Sequence, residues 1–282
     1  MDLAVLGMGR MGQALAGRLL QAGHQVTIWN RSPAKAPELV AEGAIEAPSI
    51  AEAIEGADVV FTSLANDEAV KAVALGEDGI QATLALGATY VDTSTVSPAT
   101  SEALDEAIDR FIAMPVLGSP AQVRSGDATY LIGAKGHLGD LIAPLFPALS
   151  DKQRRYERPA LAATAKLTVN LLLLDGVVAL AEAFATGRAG NLSDDQLREL
   201  LGDNPMVAPG LKYRFEGILT GTQAALWTTR LGAKDARLAT ELAESDKVAL
   251  PLTEVARARL EEAATRLGDV DIALVRELYR RP

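Results

Sequence analysis

The run Leu3-Ala4-Val5-Leu6-Gly7-Met8-Gly9-Arg10-Met11-Gly12 joins a short apolar stretch to a glycine turn and the start of the helical spacing in Met11–Gln21. Its glycines stand at G-x-G-x-x-G intervals. Gly7 permits a tight turn, Gly9 lets backbone approach a pyrophosphate, and Gly12 lets the helix lie close to the strand. The free N–H groups of the helix start would then face the phosphates. A glycine-rich turn by itself also suits a purely structural role. Its place at the first strand-to-helix turn, with a second apolar run at Gln25–Trp29, favours a bound dinucleotide. Gly7, Met8, Gly9, Arg10, Met11 and Gly12 are therefore candidate cofactor-binding residues.

Outward from this loop the first half alternates apolar runs (Asp58–Leu64, Thr89–Ser94, Phe111–Val116) with helical spacing at Pro33–Glu42, Asp67–Val73 and Pro98–Arg110. Such alternation predicts a parallel sheet with helices on both faces, a doubly wound Rossmann domain. Ala128–Gly133 reads as a further strand, followed by a helix ending near Leu149. The pattern changes after the charged stretch Asp151–Arg158. From about residue 161 to 188 the chain lacks proline and is apolar around most of a helix, as a helix buried on several sides would be. Helical spacing continues at Ser193–Leu201, Ala224–Ser245 and Leu252–Leu267. The expected organisation is an α/β Rossmann domain over 1–158 and an all-α domain over 159–282, hinged by the long helix.

The end of the second strand bears on the choice of cofactor. An acidic residue about 20 positions past the glycines would bind the ribose 2′-hydroxyl of NAD. The chain instead reads Trp29-Asn30-Arg31-Ser32-Pro33. Arg31 can clamp a 2′-phosphate and Ser32 can donate a hydroxyl, which selects NADPH, with Asn30 in the same set. A solvated surface arginine is the alternative.

Composition removes other classes of function. A net charge of −10 repels nucleic acid and anionic membrane surfaces. With no cysteine and only His24 and His137, disulfides, thiolate chemistry and Cys- or His-rich metal sites are out of reach, and no metal is expected. The N-terminus has neither the basic start nor the cleavage site of a signal peptide. No stretch reads as the roughly 20 apolar residues that span a bilayer. The expected location is cytoplasmic.

A nicotinamide enzyme needs a proton donor, and both histidines fall in turns or helix starts that suit structural roles. Lys166 lies in an otherwise apolar opening to the long helix, four residues before Asn170, so the two side chains emerge on one face. Burial there would favour the neutral amine. Asn170 could hold a substrate oxygen or the lysine. A lysine near a helix start is equally suited to snorkelling at the surface. Asp175, nine positions on, falls on the opposite side. Lys234-Asp235 interrupts the apolar pattern of Leu226–Leu242, although a solvated turn of helix explains that as well.

Together these pieces resemble the β-hydroxyacid dehydrogenase family, of the 3-hydroxyisobutyrate dehydrogenase and glyoxylate/succinic semialdehyde reductase kind. The resemblance covers essentially the whole chain. It rests on Gly7–Gly12, Val91-Asp92-Thr93-Ser94-Thr95-Val96-Ser97-Pro98, Pro115-Val116-Leu117-Gly118, Lys166 with Asn170, and Lys234-Asp235-Ala236-Arg237-Leu238-Ala239. It implies Lys166 as proton donor or acceptor and Asn170 as a substrate-orienting residue. Thr95, Leu64 and Ala65 would lie near the nicotinamide. Gly118 would offer its N–H to a substrate carboxylate, Lys234 would contact the cofactor, and Asp235 and Trp227 would close the substrate pocket. The resemblance also implies a homodimer formed through the helical domain, acting on a small-molecule substrate.

One departure bears on substrate choice. Where hydroxyacid-specific members usually carry serine this chain has Leu117, which replaces a hydroxyl by an isobutyl group and favours a less acidic substrate. That leaves imine reduction, or reduction of more apolar carbonyls, as the alternative. Imine reductases share the fold but usually carry aspartate or tyrosine at the position of Lys166. A non-catalytic NADPH-binding sensor or scaffold is the reading from another class, and it has no use for a proton donor.

Overall fold

The computed structural model describes residues 1–279 of the 282. The chain divides into two compact units, Met1–Lys166 and Leu167–Pro282, so the division falls inside a helix.

The first unit alternates strands and helices. It begins with β1 (Asp2–Leu6), α1 (Arg10–Gln21), β2 (Gln25–Trp29), α2 (Pro37–Ala41), β3 (Ile45–Glu46) and α3 (Ile50–Ile54). Then come β4 (Val59–Thr62), α4 (Asp67–Leu75), α5 (Ile80–Thr83), β5 (Thr89–Asp92), α6 (Pro98–Ala107) and β6 (Phe111–Ala113). It ends with β7 (Val116–Leu117), α7 (Pro120–Ser125), β8 (Thr129–Gly133), α8 (Phe146–Leu149) and β9 (Gln153–Tyr156). The strands form one sheet in the order β3-β2-β1-β4-β5-β6-β8-β7, with β9 paired to β8. From β3 to β6 all pairings are parallel, and β8 runs antiparallel to both β6 and β7.

Both faces of this sheet are covered, and this is why its strands read as unbroken apolar runs. Leu3, Val5, Val59, Phe61, Val91 and Ile112 pack on one side with Leu15 and Leu19 of α1. Ala4, Leu6, Val60 and Tyr90 pack on the other with Ile54, Val70 and Leu104. The strand order reverses between β1 and β4, and at such a switch point a crevice opens beyond the strand ends.

Prolines account for several departures from the expected elements. The run Phe111–Val116 is split because Pro115 has no N–H to give a ladder, so β6 stops at Ala113 and β7 begins at Val116. The helix expected over 33–42 shrinks to Pro37–Ala41, since a residue before proline is pushed out of the helical region, and Ala36 has φ −138°. Pro144 and Pro147 break the stretch ending at Leu149 into two 3₁₀ turns and the short α8. The charged stretch Asp151–Arg158, at the end of the expected sheet domain, contains β9, which extends the sheet.

The long helix, α9, runs Pro159–Ala189. It is followed by α10 (Asp194–Gly202), α11 (Pro209–Thr220), α12 (Thr229–Ser245), α13 (Pro251–Leu267) and a 3₁₀ stretch at Ile272–Tyr279. Leu174, Val177, Phe184, Phe215, Ile218, Ala236, Leu260 and Ile272 share the core of this second unit. The rings of Phe184 and Phe215 meet edge to face with centroids 5.0 Å apart. By length and composition α9 is long and apolar enough to cross a membrane, with mean hydropathy 1.8 in its most apolar window. This corrects the expectation that no stretch comes near that length, because a single Asp175 barely lowers the average. Its Leu174–Phe184 face is buried in a protein core.

Helix α12 begins at Thr229, five residues later than the apolar pattern suggests. Thr228 caps it by accepting from the Leu231 N–H. The N–H groups of Leu226 and Trp227 are taken by the carboxylate of Asp271.

Candidate functional site

In the sheet unit the glycine loop is built as its spacing requires. Gly7 has φ +102°, and a Cβ there would lie 2.4 Å from the Ser63 carbonyl oxygen. A Cβ on Gly12 would lie 1.9 Å from the Gly7 oxygen, so α1 packs against β1 at a distance only glycine allows. A Cβ on Gly9 would meet nothing within 4 Å, so the loop is open where a phosphate would approach. Gly9 is the N-cap of α1 and has no side-chain cap bond. The first helical bond runs from the Gln13 N–H to the Gly9 oxygen, leaving the N–H groups of Arg10, Met11 and Gly12 without an intrahelical acceptor. These features fit a dinucleotide pyrophosphate.

Asn30 ties this loop to the end of β2. Its Oδ1 accepts from the Met8 N–H (3.0 Å), and its Nδ2 donates to the Ser32 oxygen (3.0 Å). Met8 is buried in the core and its N–H donates to Asn30. Arg10, Arg31 and Ser32 are exposed, and Met11 is half-buried. The loop beyond Ser32 is held by the Ala34 N–H, which donates to Glu46 Oε1 at 2.7 Å.

A buried polar chain lies at the ends of β4 and β5. Asp92 Oδ1 accepts from Thr62 Oγ1 (2.7 Å) and from the Ser94 N–H (3.1 Å). Ser94 Oγ in turn accepts from the Leu64 N–H (2.9 Å). The Thr62 proton is given to Asp92, so the Tyr90 hydroxyl, 2.9 Å away, is the donor to Thr62. Burial first, and then the charge of Asp92, hold the Tyr90 phenol well above its ordinary range. The chain locks the Leu64–Ala65 loop to the loop bearing Thr95. Leu64 and Thr95 are half-buried and Ala65 is exposed. Sequence reasoning missed Thr62, Tyr90 and Asp92. The available signal was Asp92 at the end of a buried strand, within the run Val91–Pro98 that carries the resemblance.

Gly118 follows β7 with φ +152°, and a Cβ there would press to 3.1 Å on Ala128 Cβ. Leu117 is half-buried and packs against the core of the sheet unit, the environment an isobutyl group prefers. Lys166 is half-buried on the third turn of α9.

In the helical unit three candidates come together. Asn170 Nδ2 donates to Asp235 Oδ2 at 2.8 Å, across 65 residues of sequence. Lys234 Nζ pairs with Asp235 Oδ1 at 2.8 Å. Asn170 and Asp235 are buried, and the Lys234 side chain is only 12% exposed. A solvated turn of helix is thereby excluded for Lys234-Asp235. A carboxylate accepts, and this orients the Asn170 amide with Nδ2 toward Asp235. Trp227 is half-buried against the helical core.

Both histidines and Asp175 stand apart from these clusters. His137 is fully exposed beside Asp140, and His24 is lowered from 6.5 by partial burial and the N-terminal charge. Asp175 accepts from Thr253 Oγ1 on the opposite face of α9 from Lys166.

Comparison with known proteins bears on the family and the fold. Residues 2–157 match the NAD binding domain of 6-phosphogluconate dehydrogenase, and residues 161–279 match the NAD-binding domain of NADP-dependent 3-hydroxyisobutyrate dehydrogenase. The uncharacterized oxidoreductase YfjR of Bacillus subtilis is 33% identical over 97% of this chain and 98% of its own. Glyoxylate/succinic semialdehyde reductase 1 of Arabidopsis thaliana is 29% identical over 99% of each chain. Among solved structures, Psf3 in complex with NADP+ and 2-OPP superposes with a TM-score of 0.90 at 25% identity, covering 99% of this chain and 100% of that one. A Streptomyces aurantiacus imine reductase shares the fold at a TM-score of 0.67 and 21% identity, each chain fully covered. The chain belongs to the β-hydroxyacid dehydrogenase family of NAD(P)-binding dehydrogenases and reductases.

Proposed function

We propose that the protein is an NADPH-dependent reductase of small semialdehyde or β-hydroxyacid-type substrates, with Lys166 as the proton donor in reduction and the acceptor in the reverse direction. The observation that carries the reading is the buried cluster of Asn170, Asp235 and Lys234. An apolar helical core gains nothing from two charges and an amide, because their desolvation is costly, whereas a polar substrate needs fixed partners. Lys166 precedes Asn170 by one turn of α9 on the same helix face.

The backbone N–H groups after Gly9 would hold the pyrophosphate, and Arg31 with Ser32 would hold the 2′-phosphate. Bound NADPH supplies the hydride that adds to the carbonyl carbon. Lys166 gives a proton to the carbonyl oxygen as the C=O bond becomes C–OH, and the neutral amine recovers that proton from water. Asn170, oriented by Asp235, would offer Oδ1 to a donor, and Trp227 would bound the substrate from within the helical unit. Leu117 shifts the preferred substrate away from a free 2-carboxylate. A homodimer through the helical unit belongs to the same proposal, since Val169 and Leu172 of α9 are exposed apolar residues.

The test is NADPH consumption with glyoxylate, succinic semialdehyde, methylmalonate semialdehyde and cyclic imines. Activity on the aldehydes supports the reading, and activity on the imines alone overturns it. In Lys166→Met the turnover number should fall by about 10²–10⁴-fold with NADPH affinity unchanged. An unaltered rate would instead assign the proton to another group, and no turnover of any of these substrates by the parent would place the chain among non-catalytic binders. Arg31→Ala should reduce the preference for NADPH over NADH by about tenfold without moving Tm, because Arg31 is exposed.

A further inference from the structure

We infer that Asp271 is a positioning residue for the substrate side of the helical unit, acting through the backbone of Leu226 and Trp227. Its side chain is wholly buried, and the two oxygens divide their work. Oδ1 accepts from the Ala273 N–H at 3.0 Å and pairs with the Arg214 guanidinium at 3.0 Å. Oδ2 accepts from the Leu226 N–H at 2.7 Å and the Trp227 N–H at 3.1 Å. Starting the 3₁₀ stretch at Ile272 needs only the Oδ1 half of this arrangement. The Oδ2 half is given entirely to the segment leading into α12.

That segment is gripped from several directions. The Trp227 carbonyl accepts from the Ile272 N–H at 2.9 Å, and the Thr229 N–H donates to the Val270 oxygen at 2.8 Å. Thr229 Oγ1 donates to the Gly268 oxygen at 3.0 Å. Residues 226–229 are thus paired with 268–272 as a short antiparallel bridge closed by a carboxylate. Clamped here, the Trp227 backbone has one course, and α12 starts at one residue. Lys234 and Asp235 follow within two turns. The Asp271–Arg214 pair is buried on both sides, 0% and 8% exposed, and hydrogen bonds to an ion-paired carboxylate are of the stronger, charge-assisted kind.

The inference rests on Trp227 bounding the substrate, and the test separates the two ideas. The chain has two tryptophans, Trp29 and Trp227, so a Trp29→Phe background reports Trp227 alone. In that background Asp271→Asn offers one acceptor oxygen where two are needed. Its Trp227 emission should shift to the red and its acrylamide quenching should rise. The KM for succinic semialdehyde should rise about tenfold, with kcat changing less and the Kd for NADPH within about twofold of the parent. Arg214→Met keeps the carboxylate and its three N–H partners, so it should lower Tm yet leave Trp227 emission and KM as in the parent. Should Asp271→Asn fail to fold, Asp271→Ala combined with Arg214→Met removes the clamp without stranding a buried charge and should give the same readings. Unchanged Trp227 emission in a folded Asp271 variant would overturn the clamp. An equal shift in Arg214→Met would overturn it too, by assigning the effect to the ion pair. A shifted emission with unchanged KM would leave the clamp standing and remove Trp227 from the substrate.

Discussion

The glycine loop of the sheet unit and the Asn170–Asp235–Lys234 cluster of the helical unit are built on opposite principles. The loop is six consecutive residues whose contribution is backbone, and its essential feature is what is missing, a Cβ at positions 7, 9 and 12. The cluster is made of side chains 65 residues apart in sequence, and its essential feature is a carboxylate that is never left without partners. The first therefore breaks by steric intrusion and the second by leaving a buried charge under-satisfied.

The steric half of this comparison predicts the larger effect. Gly12→Ala puts a methyl 1.9 Å from the Gly7 oxygen. The obstacle is backbone, so α1 must move off β1, and NADPH affinity should fall by about 100-fold or more with a lower Tm. Gly9→Ala, which meets no protein atom, should keep the Tm of the free protein and lose about tenfold in NADPH affinity. Thermal melts with and without NADPH separate the two, and a matched loss of Tm would collapse the distinction.

The electrostatic half predicts a smaller and differently placed loss. Asn170→Ala removes one hydrogen bond from Asp235, whose ion pair with Lys234 remains. Urea unfolding should show about 2 kcal/mol less stability, and kcat/KM should fall while NADPH affinity holds. If NADPH affinity falls as far as in Gly12→Ala, the two sites are not the separate devices described above.

The smallest effect concerns a carboxylate that the cluster logic does not cover. Asp175 has its acidity weakened by desolvation, raised from the ordinary 3.8, with Thr253 only partly offsetting this. Its Oδ1 has no hydrogen-bond partner among the described residues. Because the folded state holds this proton more tightly than the unfolded chain, stability falls as pH rises from 3.8 through the higher folded value. The penalty is complete once the pH exceeds that folded value. Asp175→Asn keeps an acceptor for Thr253, so it should raise Tm modestly at pH 7 and have no such benefit below pH 3.8. A lower Tm at pH 7 would show that the charge is useful where it stands.

How far the sequence could be read follows from the same contrast. The three glycines, the strand at Gln25–Trp29 and the long α9 were legible because strand period, helix period and Cβ sterics act within a few residues. The early start assigned to α12 failed because its true boundary is set by Asp271, more than forty residues downstream. Lys234-Asp235 was open to two readings until packing buried it. Asn30 was read only as a cofactor-binding candidate, and nothing in the spacing showed that its amide also bridges Met8 and Ser32.

By itself, then, the sequence determined the doubly wound sheet unit, the helical unit after it and the phosphate loop at the first turn. Each rests on local spacing and on the space that a glycine leaves free. Only the tertiary structure decided which polar groups meet: Tyr90 with Thr62 and Asp92, Asn170 with Asp235, and Asp271 with the backbone at Trp227. A buried polar side chain takes whichever partner the packing of distant segments brings within about 3 Å, and no spacing along the chain records that choice.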